Sequence, residues 1–205
     1  MTSGSASPPF MIGVTGNIAC GKSAVVEMLA EMGATAIDSD RVYHELIQPG
    51  QPLWTALRDH FGPSIVSMDG SINRRALSQI VFSDPVQLAA LDVLTHPAVV
   101  QAIQRIIATS NTRVVAVDAV KLVESGMAAL CNAVWLVECS PGTQLRRLMA
   151  RNGFTEDEAR RRISAQPDLV AKRSIANEII DNSGSLEETR RQVDAAWSRV
   201  SILPI

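Results

Sequence analysis

Residues 10–24 read FMIGVTGNIACGKSA, and this stretch decides the fold. The first six residues form a short, mostly apolar run that is followed at once by Gly16. Such a run predicts a buried strand. From Gly16 to Ser23 the chain satisfies the pattern G-x-x-x-x-G-K-[ST] without a mismatch. Beyond Lys22 the apolar residues recur with helical spacing up to Gly33. The stretch therefore predicts a strand, a phosphate-binding loop and a helix in succession.

The chemistry of such a loop comes from its backbone. Successive N–H groups point inward at a helix N-terminus, where the helix dipole adds about half a positive charge. Gly16 and Gly21 permit the unusual backbone angles and the close approach of a polyphosphate. Lys22 is predicted to bridge the β- and γ-phosphates of a nucleotide, and the Ser23 hydroxyl to bind Mg²⁺. A chance glycine turn is the alternative, and the flanking strand and helix argue against it.

The loop alone leaves the nucleotide and the reaction open. A GTPase normally carries N-K-x-D to read guanine, and this sequence is absent here. Large ATPases need a longer chain and an apolar strand that ends in D-E, which is also missing. A small kinase that uses ATP remains.

Composition and charge limit the classes of protein to which the chain can belong. The 205 residues suffice for one domain with an insert, and 46% hydrophobic with 20% charged residues is typical of globular proteins. No uninterrupted apolar run reaches 18 residues, so we expect no membrane span. A net charge of −2 gives no reason to expect nucleic acid as a partner. Cys20, Cys131 and Cys139 form no CxxC pair, and residues 1–9 lack signal-peptide features, which favours the cytoplasm.

Further strands and helices alternate along the chain. Apolar runs predict strands at 34–38, 114–120, 133–139 and 178–182. Strands that alternate with helices indicate an α/β fold with a parallel sheet covered on both faces, the three-layer arrangement of P-loop NTPases and nucleotide kinases.

We expect one P-loop kinase domain over residues 10–205, after a flexible N-terminal tail at residues 1–9. Between residues 40 and 111 helical patterns follow one another without a good strand. The expected parts are a core at 10–40, 112–143 and 174–205, a helical substrate-binding insert at about 41–111, and a helical lid at about 144–173.

Two carboxylates follow the second predicted strand. Asp38 and Asp40 lie at the carboxyl edge of the sheet, where open α/β folds bind ligands. If the strand continues, alternation points both side chains towards the nucleotide. One could accept the proton of an attacking hydroxyl and the other orient metal-bound water, although Asp40 could instead cap the next helix.

Charged residues after the third strand are open to two readings. Asp118 and Glu124 could contact metal or substrate, or cap the next helix. Lys121 interrupts an apolar run at the expected mouth of the sheet. It could hold a substrate phosphate or be an ordinary exposed lysine.

The predicted lid is strongly basic. Residues 144–173 hold eight Lys/Arg against four Asp/Glu, a local charge of +4. Arginines that close over a γ-phosphate stabilise the charge that develops during transfer. Arg147 and Arg151 are four residues apart, hence on one helical face, and are the best candidates.

Read together, these segments resemble the dephospho-CoA kinase family. The resemblance runs from Met11 to Val193, nearly the whole chain, in the family's order. The matching pieces are IGVTGNIACGKS, AIDSD, LIQPGQPLW, HFG, GSINRRALSQIVFSDP, LTHP, QLRRLMARNG and EIIDNSGSLEETRRQV. It implies transfer of the ATP γ-phosphate to the ribose 3′-hydroxyl of dephospho-CoA, with Mg²⁺. We expect a monomer or weak homo-oligomer.

Carried over position by position, the resemblance gives roles to single residues. It implies that Asp40 is the general base and that Asn182 lies near the adenine. The ATP-binding loop is Gly16 with Ala19, Cys20, Gly21, Lys22, Ser23 and Ala24, the lid arginines are Arg147 and Arg151, and Arg74 and His96 match recurrent positions of the family's substrate region. Asp38 and Lys121 are further expected substrate contacts, on the residue pattern alone.

The chain departs from the family's usual pattern in its loop. Where many members read GGIGSGKST, this chain has Asn17, Ala19, Cys20 and Ala24. The phosphate-contacting Gly-Lys-Ser is kept, so catalysis should survive. The alternatives to a dephospho-CoA kinase are a nucleoside or nucleotide kinase of the same fold, and a nucleotide-binding regulator without transfer activity.

Overall fold

The computed structural model describes residues 8–166 and 169–201. Residues 1–7 of the predicted tail lie outside the described residues, as do residues 202–205 of the predicted core. The chain divides into two compact units. One contains the described residues up to Ile37 and from Ser110 onward, and the other is Asp38–Thr109.

The strands and helices of the described residues alternate as the sequence predicts. The strands are β1 Phe10–Thr15, β2 Thr35–Asp38, β3 Val114–Asp118, β4 Ala133–Glu138 and β5 Glu178–Asp181. The α-helices are α1 Lys22–Glu31, α2 Ser39–Leu46, α3 Pro52–Phe61, α4 Arg74–Ser83, α5 Pro85–Ala108, α6 Pro141–Asn152, α7 Glu156–Ser164, α8 Val170–Ile175 and α9 Leu186–Ser201. Short 3₁₀ helices lie at Pro63–Ile65 and Met127–Leu130.

The five strands form one sheet in the order β2-β3-β1-β4-β5. β1 is central and pairs in parallel with β3 on one side and β4 on the other. β4 in turn pairs in parallel with β5. The segment that follows β1 therefore starts from the middle of the sheet at its carboxyl edge, the usual position of a ligand site in open α/β folds.

Both faces of this sheet are buried. Along β1, Ile12 and Val14 pack with residues of α1 and α9 in one cluster. The alternate residues of β3, Val115 and Val117, are also fully buried and face the other side. A sheet covered on both faces explains why its strands read as continuous apolar runs instead of alternating ones. The predicted fold class is confirmed.

The second unit is helical and has its own core. Helices α2 to α5 and the short helix at Pro63–Ile65 make up its regular structure. Leu57 and Ile65 are completely buried at its centre. The Trp54 indole donates to the Gly70 carbonyl at 2.9 Å and closes the loop between α3 and α4. This unit coincides closely with the stretch in which the sequence shows helical patterns and no strand.

In the sequence, Pro97 directly after His96 predicts the start of a helix, and this prediction is wrong. α5 runs without interruption from Pro85 to Ala108, with Pro97 in its interior. An internal proline removes one hydrogen bond and costs about 3 kcal/mol. Here Leu94 and Ala98, on either side of it, pack against the same core. We infer that this shared burial offsets the lost bond and keeps the helix whole.

Among the described helices, α5 is long and apolar enough to cross a membrane by length and composition, with a mean hydropathy of 1.3 over 18 residues. One such helix is weak evidence, because core helices of other proteins pass the same test.

Candidate active site

The loop between β1 and α1 has the geometry of a phosphate cradle. At Gly16 a β-carbon would lie 2.1 Å from the backbone oxygen of Val137, so only glycine fits there. Gly21 has a φ of +89° and immediately precedes the first residue of α1, Lys22. The Ala24 N–H donates to the Gly21 carbonyl at 3.2 Å. The N–H groups of Lys22 and Ser23 lie in the first turn, where a helix offers no carbonyl partner, so they are suited to meet an anion.

Ala19 occupies a strained conformation inside the loop. Its φ of 61° is the one positive value among the described residues other than glycine. Placing a β-carbon in this left-handed region costs about 1–2 kcal/mol. The contacts on either side of Ala19 must therefore hold the loop in shape.

One of these contacts comes from Asn182, directly after β5. Its Nδ2 donates to the Cys20 carbonyl at 2.8 Å, and its Oδ1 accepts from the Thr189 hydroxyl at 2.8 Å. Asn182 is only 1% exposed. The structure thus places Asn182 beneath the loop as a support. The adenine contact implied by the resemblance stays a prediction.

Two glutamines make further contacts with the loop that the sequence reasoning missed. Gln166 and Gln144 hydrogen-bond the backbone of Ile18. Each glutamine is well over 100 positions from Ile18 in sequence. Gln144 opens the family-like stretch QLRRLMARNG, but that stretch does not indicate that its side chain contacts the loop. No sequence signal marks such a pair.

Of the two predicted lid arginines, Arg147 is the one beside the loop. A β-carbon on Gly21 would lie 3.5 Å from Arg147 Nη1. That nitrogen is buried and has no hydrogen-bond partner among the described residues. Arg151, one turn further along α6, is exposed, and its Nε donates to Asn152 Oδ1 at 3.0 Å.

The remaining loop residues stand where the motif requires them. Lys22 and Ser23 form the first turn of α1, and the Ser23 side chain is exposed. No group of three or more His, Cys, Asp or Glu side chains in the described part of the chain could hold a metal ion by itself. A metal at this loop would need the oxygens of a nucleotide as further ligands.

Asp38 and Asp40 differ in their surroundings. The strand does not continue past Asp38, so the expected alternation fails. Asp38 is the N-cap of α2, and its Oδ1 accepts from the backbone N–H of Asp40 at 2.8 Å and of Arg41 at 3.2 Å. Asp40 lies in the first turn of α2, exposed, and its carboxylate has no hydrogen-bond partner among the described residues. The capping role that the sequence left open for Asp40 belongs to Asp38.

The predicted substrate residues lie in different surroundings. Arg74 begins α4, and its Nη1 donates to His44 Nε2 at 2.7 Å. His96 lies within α5, and its Nε2 is 3.3 Å from Asp92 Oδ1, one turn before it. Lys121 is exposed in the turn after β3. All three carry groups that bind anions, and their contacts with substrate stay predictions.

Cys20 is an acidic thiol within the loop. A hydrogen bond from Cys139 lowers the pKa of Cys20 to about 7, helped by the charge of Lys22 and opposed by burial. The same contact raises the pKa of Cys139, which therefore keeps its proton. A thiolate at Cys20 places negative charge where phosphate must bind, so ionisation of this thiol and nucleotide binding oppose each other.

Lys172 is a buried cation near the loop lysine. It is 1% exposed on α8, and its Nζ donates to the Val120 carbonyl at 2.8 Å and lies 3.8 Å from Glu124 Oε1. Burial lowers the pKa of Lys172, with a smaller contribution from the charge of Lys22, while Glu124 acts in the opposite direction. From the sequence, Lys172 is predicted only to be one of the eight basic residues of the lid.

Replacing Lys172 by methionine is expected to destabilise the protein by about 1–3 kcal/mol at pH 7. The Val120 carbonyl loses its shorter hydrogen bond and keeps only the one from the Thr15 hydroxyl at 3.3 Å, and Glu124 loses its cationic neighbour. The effect should depend on pH. The unfolded chain keeps the lysine proton up to its ordinary pKa of 10.5, whereas the folded chain releases it earlier. The free energy of unfolding of the wild type therefore increases as pH rises towards 10.5, whereas that of the variant does not show this increase. Urea unfolding between pH 7 and 10.5 tests this, and parallel curves would contradict it.

Gly21→Ala is expected to destabilise the protein more than Gly33→Ala does. Both glycines have positive φ, +89° and +98°, so both substitutions carry backbone strain. At Gly33 the new methyl meets nothing within 4 Å, whereas at Gly21 it would lie 2.0 Å from Asn182 Nδ2. We expect an additional loss of about 1–3 kcal/mol in urea unfolding for Gly21→Ala, together with weaker ADP binding. Equal losses in the two variants would show that the contact with Asn182 yields without cost.

The parallel sheet, the glycine loop at the start of α1 and an arginine beside that loop define an ATP-dependent kinase of the P-loop class. Within that class, residues 10–188 match the family model described as dephospho-CoA kinase. The chain belongs to the dephospho-CoA kinase family. The resemblance noted in the sequence is confirmed.

Individual relatives agree with this assignment. A dephospho-CoA kinase of Symbiobacterium thermophilum is 45% identical over 190 residues, which are 91% of this chain and 80% of the relative. A crystal structure of a Thermus thermophilus protein has a TM-score of 0.81 at 31% identity, covering 94% of this chain and 98% of that one. A dephospho-CoA kinase from Campylobacter jejuni has a TM-score of 0.67 at 25% identity, covering 93% of this chain and 96% of that one.

Proposed function

We propose that the protein transfers the γ-phosphate of ATP to the ribose 3′-hydroxyl of dephospho-CoA, giving CoA and ADP. The observation that carries the proposal is the family match over residues 10–188. The intact Gly21, Lys22 and Ser23 at the start of α1 support it, because these residue types contact phosphate and metal in P-loop kinases.

The loop fits a nucleotide with Mg²⁺. The buried Nη1 of Arg147 has no partner among the described residues, and a phosphate oxygen would supply the acceptor that it lacks. Lys22 would bind the β- and γ-phosphates, and the Ser23 hydroxyl would hold Mg²⁺. Bound Mg²⁺ neutralises charge on the phosphate oxygens and so favours attack on phosphorus. Arg151 would act as a second lid arginine, and Asn182 would keep Cys20, Gly21 and their N–H groups in place.

Asp40 would serve as the general base. As the 3′-hydroxyl oxygen forms its bond to the γ-phosphorus, the bond from that phosphorus to the β–γ bridging oxygen breaks and ADP leaves. The hydroxyl proton passes to the Asp40 carboxylate. This carboxylate is exposed and has no hydrogen-bond partner among the described residues, which leaves it available for a substrate hydroxyl. Asp38 would contribute by starting α2 and so fixing the position of Asp40.

Binding of dephospho-CoA would rely on cationic and polar groups. The acceptor carries a pyrophosphate, which Arg74, His96 and Lys121 are suited to contact by charge. We further propose that the enzyme works in the cytoplasm as a monomer or weak homo-oligomer, with no nucleic-acid or membrane partner. Three free cysteines and a net charge of −2 are consistent with this setting.

The test is incubation of the purified protein with Mg-ATP and dephospho-CoA, followed by mass spectrometry of the products. Adenosine, AMP and shikimate serve as parallel acceptors, and 3′-deoxy-dephospho-CoA controls for the position of transfer. CoA from dephospho-CoA alone, and none from the 3′-deoxy analogue, is the expected result. A phosphorylated nucleoside or nucleotide would favour the nucleotide-kinase alternative, and ATP binding without any product would favour the inactive regulator.

A further inference from the structure

A single residue of the phosphate loop is held by two glutamines from outside it. Ile18 donates its backbone N–H to Gln166 Oε1 at 3.1 Å, and its carbonyl accepts from Gln144 Nε2 at 2.8 Å. The orientation of both side-chain amides follows from these partners, because a peptide N–H can only donate and a carbonyl can only accept. The two glutamines thus have different tasks at the same residue.

Gln144 and Gln166 lie at the two ends of the α6–α7 pair. Gln144 is buried in the first turn of α6, and Gln166 follows the last turn of α7. Arg147, whose guanidinium lies beside Gly21, is three residues after Gln144 on the same helix. Hydrogen bonds therefore connect both ends of the α6–α7 pair to Ile18 of the loop. Because Arg147 belongs to α6, the same bonds help to hold it beside the loop.

The fastened position adjoins the strained one. Ile18 immediately precedes Ala19, the residue with a φ of 61°, and Cys20 on the other side is held through its carbonyl by Asn182. The strained residue thus has a hydrogen-bonded neighbour on each side. Loss of these bonds would let Ala19 relax to an ordinary backbone conformation, and the loop backbone that leads into α1 would change with it.

We infer that Gln144 and Gln166 are positioning residues for nucleotide binding. They act through Ile18, hold the loop in its phosphate-binding conformation before the nucleotide arrives, and keep Arg147 against the same loop. The inference rests on the proposed function only in assuming that the loop binds a nucleotide. Because the bonds preorganise the loop, their loss lowers the fraction of chains that are ready to bind and raises the apparent dissociation constant in proportion.

The test compares Gln144→Glu with Gln166→Glu. Both variants add the same charge next to the same residue, so their difference reports the hydrogen bonds. At position 166 the carboxylate still accepts from the Ile18 N–H. At position 144 an ionised carboxylate faces the Ile18 carbonyl oxygen with no hydrogen to donate, and it can restore the bond only by first taking up a proton, which costs free energy at pH 7. We expect the ADP dissociation constant, measured by calorimetry on the full-length protein, to be at least about 10-fold higher for Gln144→Glu than for Gln166→Glu. Equal constants for the two variants would overturn the inference.

Gln144→Met and Gln166→Met provide a second test in case the charged variants do not fold. Each removes one bond without adding charge, and each is expected to raise the KM for ATP by about 10-fold while kcat at saturating ATP stays within about 3-fold. Lowered thermal stability with an unchanged KM for ATP and an unchanged ADP constant would show a purely structural role and overturn the inference. If wild-type protein binds ADP but forms no CoA, the proposed function fails while the ADP measurements still decide the roles of the glutamines.

Discussion

Replacing Lys22 by alanine is expected to lower kcat/KM for ATP by at least about 10³-fold and to weaken ADP binding by about 10-fold or more. Lys22 is the first residue of α1, next to Gly21. In the proposed reaction its ammonium would bind the phosphates that gather charge during transfer. Alanine removes this charge without changing the loop backbone. Steady-state kinetics and calorimetry with ADP measure the two effects.

Two companion variants make the Lys22 result specific. Lys22→Arg keeps the charge but spreads it over a larger planar group, so we expect partial ADP binding with poor turnover. Glu27 is exposed on the same helix, so Glu27→Ala should leave both kcat/KM for ATP and ADP binding unchanged. A Lys22→Ala protein with normal ATP affinity and rate would remove the phosphate-binding role from this loop.

The second large effect is expected for Asp40→Asn, which should lower kcat by at least about 10²-fold and leave ADP binding within about 3-fold of wild type. Asparagine has nearly the shape of aspartate but cannot take the proton of the attacking hydroxyl. Because Asp40 is exposed in the first turn of α2, the substitution should cost little stability. Single-turnover measurements with saturating dephospho-CoA separate the transfer step from binding.

Asp84→Asn is the matched control for Asp40. Asp84 caps α5 by accepting from the Val86 N–H at 2.8 Å, and asparagine caps a helix equally well. It lies in the same unit as Asp40 and outside the proposed site, so its kcat should not change. Unchanged turnover in Asp40→Asn would assign the proton to another group.

The sheet could be predicted because its strands are buried on both faces. Val114–Asp118 and Ala133–Glu138 are runs of β-branched and other apolar residues, and such runs have few alternatives in a chain of this composition. The phosphate loop was predictable for a different reason, since its glycines, lysine and serine are required by the geometry of phosphate binding. Strand ends were less certain, and the alternation assumed for Asp38 and Asp40 failed because the chain turns into α2 at Ser39.

The parts of the site that the sequence did not reveal are those that connect distant segments. Gln144 and Gln166 are polar residues in or beside helices, a setting in which glutamine usually has only solvent as a partner. Their contacts with Ile18 exist only because the fold brings α6 and the end of α7 to the loop. Pro97 was misread for a related reason, because local sequence favours a helix boundary at proline and only tertiary packing keeps α5 intact.

The central position of β1 also constrains the order in which the chain folds. Its partners lie far along the sequence, since Phe10 pairs with Val114 and Ile12 with Ala133. Contacts of such long sequence separation form slowly, whereas the internal contacts of the helical unit all close within residues 38–109. On the ribosome, the first strand and its loop must wait until β3 and β4 have been synthesised. The nucleotide site, although encoded within the first 24 residues, is therefore among the last parts of the protein to be completed.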